Sequence, residues 1–147
     1  MAKKPIIIKL TPNVTNIAEI AKAVEAEGAD AVSLINTLLG MKIDVHKQKC
    51  VLANKMGGFS GPAIMPVAVR MVYQVRRAVD IPIIGLGGIM TGEDVAEFIL
   101  AGADAVSIGT AALINPTAPV DIKNQLIDYM ETYGFKNLAE LRNALKE

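Results

Sequence analysis

The chain has 147 residues, which is enough for one domain with a substantial core and too few for two ordinary domains. Apolar residues make up 52% of the chain and Trp is absent, so the core must consist mainly of Ile, Val, Leu, Ala and Met. The 15 Lys and Arg residues balance the 15 Asp and Glu residues. This zero net charge gives no indication of binding to nucleic acid or to an anionic membrane surface.

Cysteine content and hydropathy exclude further classes. The single cysteine, Cys50, cannot form an intrachain disulfide, and a cysteine-based metal site is not expected. No segment approaches the roughly 20 apolar residues of a membrane span, and the N-terminus lacks the apolar stretch of a secretion signal. We therefore expect a cytoplasmic protein that contains no bound metal.

The first 37 residues predict a strand, a helix and a second strand. Residues 5–10, PIIIKL, form an Ile-rich run that is typical of a buried parallel strand. Thr15 or Asn16 is suited to cap the helix that follows, and Gly28 is suited to end it. The predicted buried face of this helix consists of Ile17, Ile20, Ala21 and Val24. Residues 30–37, DAVSLINT, predict the second strand.

Residues 38–65 are too long for a simple connection between a strand and a helix. The alternation over KIDVH and KCVLAN predicts a small hairpin with its turn near Lys47 and Gln48. The stretch that follows is predicted to be flexible or tightly turned because of its glycines, Gly57, Gly58 and Gly61. An insertion of this size on a compact scaffold is typical of a lid or a binding segment.

The later residues repeat the strand and helix alternation. Residues 66–79 predict an amphipathic helix that opens with a proline, and residues 81–88, IPIIGLGG, predict a strand. A helix with an acidic first turn follows over residues 91–102, and residues 104–110, DAVSIGT, predict the last strand. Residues 119–134 predict a final long helix, with a short helix after it.

An internal duplication indicates the architecture. The segment EGADAVSLINT at residues 27–37 returns as AGADAVSIGTA at residues 101–111. Four strands that alternate with four helices predict an α/β domain over residues 1–147, with a parallel sheet and right-handed crossovers. An eightfold barrel takes about 250 residues, so the prediction is a (βα)4 half of a TIM barrel. An open flavodoxin-like sheet is the alternative for so few units.

The most informative candidate site lies at the ends of the last two predicted strands, where Gly87 and Gly88 and then Gly109 and Thr110 stand. Ligands of parallel α/β sheets bind at the carboxyl ends of the strands, and barrels often hold phosphate after the last two. Glycine lets the backbone approach an anion closely. The pair of motifs therefore favours a phosphate site over the alternative, in which the glycines only permit tight turns.

Polar residues at the first two strand ends extend this candidate site. Lys9 ends the first strand, where its ammonium could reach the mouth of the sheet or simply be solvated. Asn36 and Thr37 end the second strand, and Asn is a poor strand former, so it is either a ligand-binding or a turn residue. Ser60 and Gly61, just before the helix of residues 66–79, are suited to wrap a flat or phosphorylated ligand.

Two reactive side chains are set aside as catalytic candidates. His46 and Cys50 both fall in the predicted hairpin of the insertion. No second histidine or carboxylate is spaced to complete a metal cluster with them, and nothing local indicates a depressed thiol pKa.

Several segments taken in order resemble dihydroorotate dehydrogenases. They are KPIIIKLTPNVT, ADAVSLINTL, GGFSGPAIMPVAVRMVYQV and DIPIIGLGGIMTGEDVAEFILAGADAVSIGTA. The nearest type is the class 1B catalytic subunit, which works with an NAD-linked electron-transfer partner. The resemblance covers almost the whole chain, but only strands five to eight of that family's barrel.

The resemblance implies an FMN-dependent oxidoreductase of pyrimidine biosynthesis that oxidises dihydroorotate to orotate. It implies that Lys9 lies beside the flavin ring, where its charge stabilises the reduced flavin, and that Ile35 lies against the flavin. Asn36 and Thr37 would hydrogen-bond the pyrimidine, and Gly61 would pack near the ribityl chain. The FMN phosphate would be held by Gly87, Gly88, Gly109 and Thr110.

The resemblance also implies what these residues do not supply. The family's catalytic base, a serine or cysteine after strand four, has no counterpart among them, so no catalytic residue is identified and little or no turnover is expected from the chain alone. Half a barrel exposes two strand edges and an apolar inner face, which favours closure of an eight-stranded barrel by a homodimer. Weak FMN binding, or phosphate or sulfate in its place, is expected. The alternatives are an enzyme component that needs a separate N-terminal half, and a scaffold without a ligand.

Overall fold

The structure is a computed structural model that describes residues 3–146, so the outermost positions of the predicted domain, 1, 2 and 147, lie outside the described residues. In chain order, its elements are β1 (Ile7–Leu10), α1 (Ile17–Ala26), β2 (Ala31–Leu34), β3 (Leu38–Met41), β4 (Ile43–Asp44), β5 (Lys49–Cys50), β6 (Met56–Phe59), a 3-10 turn (Pro62–Ile64), α2 (Met65–Arg76), β7 (Ile83–Leu86), α3 (Gly92–Leu100), β8 (Ala105–Ser107), α4 (Thr110–Ile114), α5 (Ala118–Tyr133) and α6 (Leu138–Arg142). No helix among the described residues is long and apolar enough to cross a membrane.

The central sheet has four strands in the order β1-β2-β7-β8, and every neighbouring pair is parallel. Helices connect these strands, as parallel pairing requires. This arrangement confirms the predicted α/β fold and is consistent with half of a TIM barrel. Closure of a whole barrel by a second copy is still a prediction.

The internal duplication is present in the strand pairing as well as in the amino-acid sequence. Ile7 of β1 pairs with Ala31 of β2, and Ile84 of β7 pairs with Ala105 of β8. The duplicated segments align Ala31 with Ala105, and the two PII segments align Ile7 with Ile84. The two strand-helix-strand units therefore share one register.

Local signals place the helices that carry these units. The side chain of Asn16 accepts a hydrogen bond from the Ala18 N–H at the start of α1, and Gly28 takes φ 82° just after its end. At the start of α3, Thr91 and Asp94 form a reciprocal capping box. The cap proposed from sequence as Thr15 or Asn16 is thus Asn16.

The core lies between the two inner strands and the helices that cover them. Its largest fully buried side chains are Phe98, Leu34, Ile83, Ile99, Ile122, Leu141, Val32, Val72 and Val75. A Cβ on Gly85 of β7 would lie 2.5 Å from a ring carbon of Phe98, so the ring of Phe98 packs directly on the strand backbone. These contacts attach α3 closely to the sheet.

The prediction that residues 5–10 form a buried strand is wrong for the chain by itself. Ile6, Ile7 and Ile8 are 42%, 52% and 36% exposed, and Ile20 of α1 is 37% exposed. The reason is topological, because β1 is an edge strand of the sheet and has a neighbour on one side only. Its sequence has the composition of an interior strand, and its position leaves that composition uncovered.

Residues 38–59 form an arm of two nested antiparallel pairs. β3 pairs with β6, and within that pair β4 and β5 form a hairpin whose turn contains Lys47 and Gln48. The expectation that Gly57 and Gly58 lie in a flexible or turned stretch is wrong, since both belong to β6. A Cβ on Gly58 would lie 2.4 Å from the Thr37 hydroxyl, so this strand packs against the end of β2. The arm exposes many apolar side chains, among them Leu39, Met41, Val45 and Met56.

A charged network lies at the amino ends of β7 and β8. The Asp104 carboxylate, just before β8, pairs with the guanidinium groups of Arg76 from α2 and Arg142 from α6. It also accepts a hydrogen bond of 2.8 Å from the Ile83 N–H at the start of β7. Burial lowers the pKa of Arg76, and the nearby charge of Asp80 acts in the opposite direction. Asp104 therefore ties two helices to the amino ends of two strands, away from the candidate site.

Candidate functional site

A cavity of about 230 Å³ opens at the carboxyl ends of the four parallel strands. The residues predicted from sequence that line it are Lys9, Ile35, Asn36, Thr37, Gly87, Gly88, Gly109 and Thr110. They come from all four strand ends, because parallel strands bring their carboxyl ends to one edge of the sheet. The structure thus brings together residues that lie up to a hundred positions apart in the chain.

Gly61 does not line the cavity but lies directly behind its wall. It takes φ 94°, and its carbonyl oxygen is 2.9 Å from the position that a Cβ on Gly88 would occupy. The same carbonyl accepts a hydrogen bond from the Ile64 N–H at the start of the turn before α2. Gly61 therefore packs behind Gly88, next to Ser60, which does line the cavity.

Gly87 and Gly88 are required by the backbone itself. Their φ values are 132° and 84°, which side chains with a Cβ rarely adopt. A Cβ on Gly88 would also lie 2.8 Å from the Met65 Cβ. These two glycines are explained by the turn after β7, whether or not a ligand binds.

Gly109 is different, because neither a positive φ nor a close contact calls for a glycine there. Its φ is −109°, and a Cβ would meet no heavy atom within 4 Å. It precedes Thr110, the first residue of α4, and the backbone N–H groups of Gly88, Gly109 and Thr110 donate no hydrogen bond to the described residues. These N–H groups and the open space beside Gly109 suit an anion that lies against the backbone.

Two hydroxyl groups link the arm to this side of the cavity. The Thr110 hydroxyl donates a hydrogen bond of 3.4 Å to the Ser60 hydroxyl, and both residues line the cavity. Ser60 directly follows β6, so the end of the arm and the start of α4 meet here. Hydroxyl groups donate and accept hydrogen bonds, which suits the oxygen-rich surface of a phosphorylated ligand.

The opposite wall of the cavity is the end of β2. The N–H of Ile35 donates to the Leu86 carbonyl and the N–H of Asn36 donates to the Leu10 carbonyl, each at 2.9 Å. Ile35 is buried, whereas Asn36 and Thr37 are exposed toward solvent. The Leu34–Ile35 peptide bond is cis. The two hydrogen bonds hold the backbone of this strand end between both neighbouring strands. The side chains of Asn36 and Thr37 are available to a ligand.

The chemistry that the cavity offers is cationic and hydrogen-bonding. Lys9 supplies one ammonium group, and the hydroxyl groups of Thr37, Ser60, Ser107 and Thr110 surround apolar side chains such as Ile89. Among the described residues, the cavity lining contains no carboxylate, histidine or cysteine. This wall can bind and orient an anionic ligand, but it holds no group suited to take up a proton at neutral pH.

Five lining residues were not singled out in the sequence, namely Ile64, Leu86, Ile89, Ser107 and Leu113. Ser107 occupies the end of β8, and Leu113 of α4 is 89% exposed at the rim. The alternation of the last strand is the signal that would have found Ser107, two positions before Gly109. Leu113 could not be found in the same way, because the short helix α4 was not predicted.

His46 and Cys50, which were rejected as catalytic candidates from the sequence, lie on the arm. Cys50, in β5, is an exposed free cysteine. His46, in the turn before it, donates its backbone N–H to the Asp44 carboxylate at 3.0 Å. Neither residue lines the cavity.

Comparison with known proteins identifies one family. A family model described as dihydroorotate dehydrogenase matches residues 1–130. The catalytic subunit of dihydroorotate dehydrogenase B (NAD(+)) from Alkaliphilus metalliredigens is 66% identical over 145 residues, which is 99% of this chain and 48% of that protein. The subunit of the same name from Alkaliphilus oremlandii is 59% identical over 141 residues, 96% of this chain and 47% of that protein.

A third relative is also similar over most of the chain. The subunit of that name from Oceanobacillus iheyensis is 56% identical over 140 residues, which is 95% of this chain and 46% of that protein. The chain therefore spans about half the length of the curated relatives it matches.

Proposed function

The chain belongs to the dihydroorotate dehydrogenase family, and on that premise we propose that it is the FMN-holding half of an enzyme that oxidises dihydroorotate. The cavity at the four strand ends is the proposed FMN site. When bound there, FMN would supply the group that accepts two electrons from the substrate. The names of the relatives include NAD(+) and describe a catalytic subunit, so we propose that NAD(+) takes part through a further subunit.

The residues present fit such a ligand at both of its ends. The open backbone at Gly109 and Thr110, beside Gly88, is suited to the phosphate. Lys9 would place its ammonium beside the flavin ring, with Ile35 against the ring and Gly61 behind the ribityl chain. Asn36 and Thr37, at the exposed end of β2, would hydrogen-bond the pyrimidine substrate.

The observation that carries this proposal is Gly109. A glycine that lines a cavity without a positive φ or a close contact supports the proposal that a ligand approaches the backbone there. The adjacent N–H groups of Gly109 and Thr110 are the donors that a phosphate would use.

An FMN titration of wild type and two glycine variants tests the proposal. In Gly109→Ala, a methyl group enters the cavity, and we expect FMN affinity to fall about tenfold or more while the melting temperature changes little. The matched control is Gly134→Ala, which adds a methyl group in open space at φ 77°, at a residue that does not line the cavity. This control should lower the melting temperature and leave FMN affinity unchanged.

Other outcomes of the titration are equally informative. Stabilisation of the wild type by inorganic phosphate but not by FMN would restrict the proposal to a phosphate site, because a ligand selective for the folded state stabilises it. Equal FMN affinity in wild type and Gly109→Ala would refute the proposed position of the phosphate. No response to FMN or to phosphate would favour the scaffold without a ligand.

Turnover requires a group that the described cavity does not contain. Removal of a proton from dihydroorotate needs a base within hydrogen-bond reach, and the lining offers only Lys9, hydroxyl groups and an amide. We propose that the base and the rest of the substrate pocket come from residues outside this chain. Flavin reduction by dihydroorotate should therefore be slow or absent for the chain alone and should recover when the first half of a relative is supplied as a separate polypeptide.

We also propose that, without that half, two copies of the chain associate through the free edges of the sheet. The β1 edge carries an apolar groove lined by Ile6, Ile8, Ile20 and Val24, and α4 at the β8 edge exposes Leu113. Exposed apolar strand edges favour pairing with another chain. A two-fold dimer would cover both edges at once.

The internal duplication specifies the register of that dimer. Within the chain, Ser33 of β2 pairs with Ile84 of β7. Since Ser107 of β8 corresponds to Ser33, and Ile7 of β1 corresponds to Ile84, we expect Ser107 of one copy to pair with Ile7 of the other. The contact between copies then repeats the contact at the middle of the sheet.

Cysteine cross-linking tests this register. In a Cys50→Ser background, Ser107→Cys combined with Ile7→Cys should give a disulfide-linked dimer on oxidation, because paired strands bring Cα atoms within disulfide range. Ser107→Cys with Ile8→Cys is the control, since neighbouring strand residues point to opposite faces. Sedimentation of the wild type as a monomer at all concentrations would refute the dimer.

A further inference from the structure

One asparagine joins the connection after β1 to the segment after β2 that carries the proposed pyrimidine-binding residues, Asn36 and Thr37. Asn13 lies in the connection between β1 and α1. Its side-chain amide donates to the Thr37 carbonyl at 3.0 Å, and its side-chain oxygen accepts from the Leu39 N–H at 2.9 Å. The same amide group also donates to the Thr11 hydroxyl at 3.1 Å.

The geometry of these bonds is that of a strand pairing. A residue in a parallel pair donates to one residue of the neighbouring strand and accepts from the residue two positions further along. Asn13 does the same with the carbonyl of Thr37 and the N–H of Leu39, so its side chain acts as one more peptide group beside the start of β3. The identity of each partner determines the orientation of the amide, because the Thr37 carbonyl can only accept and the Leu39 N–H can only donate.

The segment that Asn13 holds has few other restraints on that side. The Asn36 N–H is bonded to the Leu10 carbonyl, and the next residues leave the sheet toward the arm. Beyond Asn36, the backbone at Thr37 is held on one face by packing of its side chain on Gly58 and on the other by Asn13. These two contacts, together with the pairing of Leu38 with Phe59, restrain the backbone of Thr37 beside the cavity.

We infer that Asn13 is a positioning residue, which orients Asn36 and Thr37 toward the substrate without touching the substrate itself. This inference rests on the proposed function, because it assigns the pyrimidine to the end of β2. Asn13 is exposed and does not line the cavity, so its effect passes through the backbone of Thr37. It should therefore affect binding of the pyrimidine more than binding of the FMN phosphate, which the proposal places at Gly109.

The test is the isosteric variant Asn13→Asp in the whole chain. The carboxylate still accepts from the Leu39 N–H but cannot donate to the Thr37 carbonyl, and it repels that oxygen. We expect the backbone amide signals of Asn36 and Thr37 to shift in the NMR spectrum. For FMN-loaded protein, we expect orotate affinity to fall about tenfold while FMN affinity stays within about twofold.

The matched control is Asn16→Ala, three residues along the same segment. Asn16 caps α1 through the Ala18 N–H and has no contact with the β2 end. This variant lowers helix stability because it removes the cap of α1, but we expect unchanged Asn36 and Thr37 signals and an unchanged ratio of orotate affinity to FMN affinity. Equal changes in Asn13→Asp and Asn16→Ala would overturn the inference in favour of a general loss of stability.

The amide signals separate this inference from the proposed function. If the wild type binds neither FMN nor orotate, the proposed function fails, and the signals of Asn36 and Thr37 in Asn13→Asp still decide whether Asn13 positions them. If those signals do not move, the inference is wrong even where FMN binds. A tenfold loss of FMN affinity together with orotate affinity would also contradict it.

Discussion

Helices α3 and α5 pack closely at Gly92, and Gly92→Ala gives a direct test of this packing. Gly92 is the first residue of α3, and a Cβ there would lie 2.4 Å from the backbone nitrogen of Leu126 and 2.5 Å from the carbonyl carbon of Gln125, both in α5. Ordinary contacts of a Cβ begin at 3.4 Å. Because the obstructing atoms are backbone, no side-chain rotation relieves the overlap, and the two helices must separate by about 1 Å.

The cost can be worked out from the contacts that this separation changes. Overpacking in a tight interior costs about 1–3 kcal/mol. The Gly92 N–H also donates to the Gln125 side-chain oxygen at 2.9 Å, and its loss adds about 1 kcal/mol. The higher helix propensity of alanine returns at most about 1 kcal/mol, and less in a first turn. The net loss should be about 2–3 kcal/mol.

Thermal and urea unfolding measure this loss. For a domain of this length, we expect a fall in melting temperature of about 5–10 °C and a lower urea midpoint with an unchanged slope. Gly109→Ala is the matched control, because its Cβ would meet no atom within 4 Å. If Gly92→Ala were as stable as Gly109→Ala, the close packing of α3 on α5 would be refuted.

Three further substitutions test other parts of the structure. Asp104→Ala leaves two arginines and the Ile83 N–H without their shared acceptor, so we expect a loss of about 2–3 kcal/mol in urea unfolding; a loss below 0.5 kcal/mol would contradict the network. Thr91→Ala removes the cap of α3 and should cost about 1 kcal/mol in the same assay, whereas Thr91→Ser should restore most of it. Gly58→Ala should displace the stiff side chain of Thr37 at a cost of about 1–2 kcal/mol; a double-mutant cycle with Thr37→Gly should show that the two costs are not additive.

The elements that the sequence predicted well are those with strong local signals. α1 and α3 have capping residues, a periodic apolar face and a glycine beyond their ends, and these determine a helix without reference to the rest of the chain. The inner strands β2 and β7 read as apolar runs and are buried. The duplication of residues 27–37 at 101–111 was sufficient to indicate repeated units, and the common register follows from it.

The arm shows where local signals fail. The glycines of β6 predict a loop, since glycine has a low strand propensity, but β3 and the Thr37 side chain hold them in an extended pair. Similarly, α4 has only five residues and no side-chain cap, so no periodic pattern indicated it. In both places, contacts between segments decide the conformation against the local preference.

The sequence by itself determined the type and order of the sheet strands, the family resemblance and most of the residues proposed for the site, because each of these depends on short motifs at strand ends. Only the tertiary structure decided which of those residues meet in one cavity, why Gly87 and Gly88 are required by the turn while Gly109 is not, and how Asn13 reaches the end of β2. It also decided that the Ile-rich β1 is exposed, because burial depends on what lies beside a strand. The apolar composition of a strand indicates that it is suited to burial. Whether it is buried depends on the strands and helices that lie beside it.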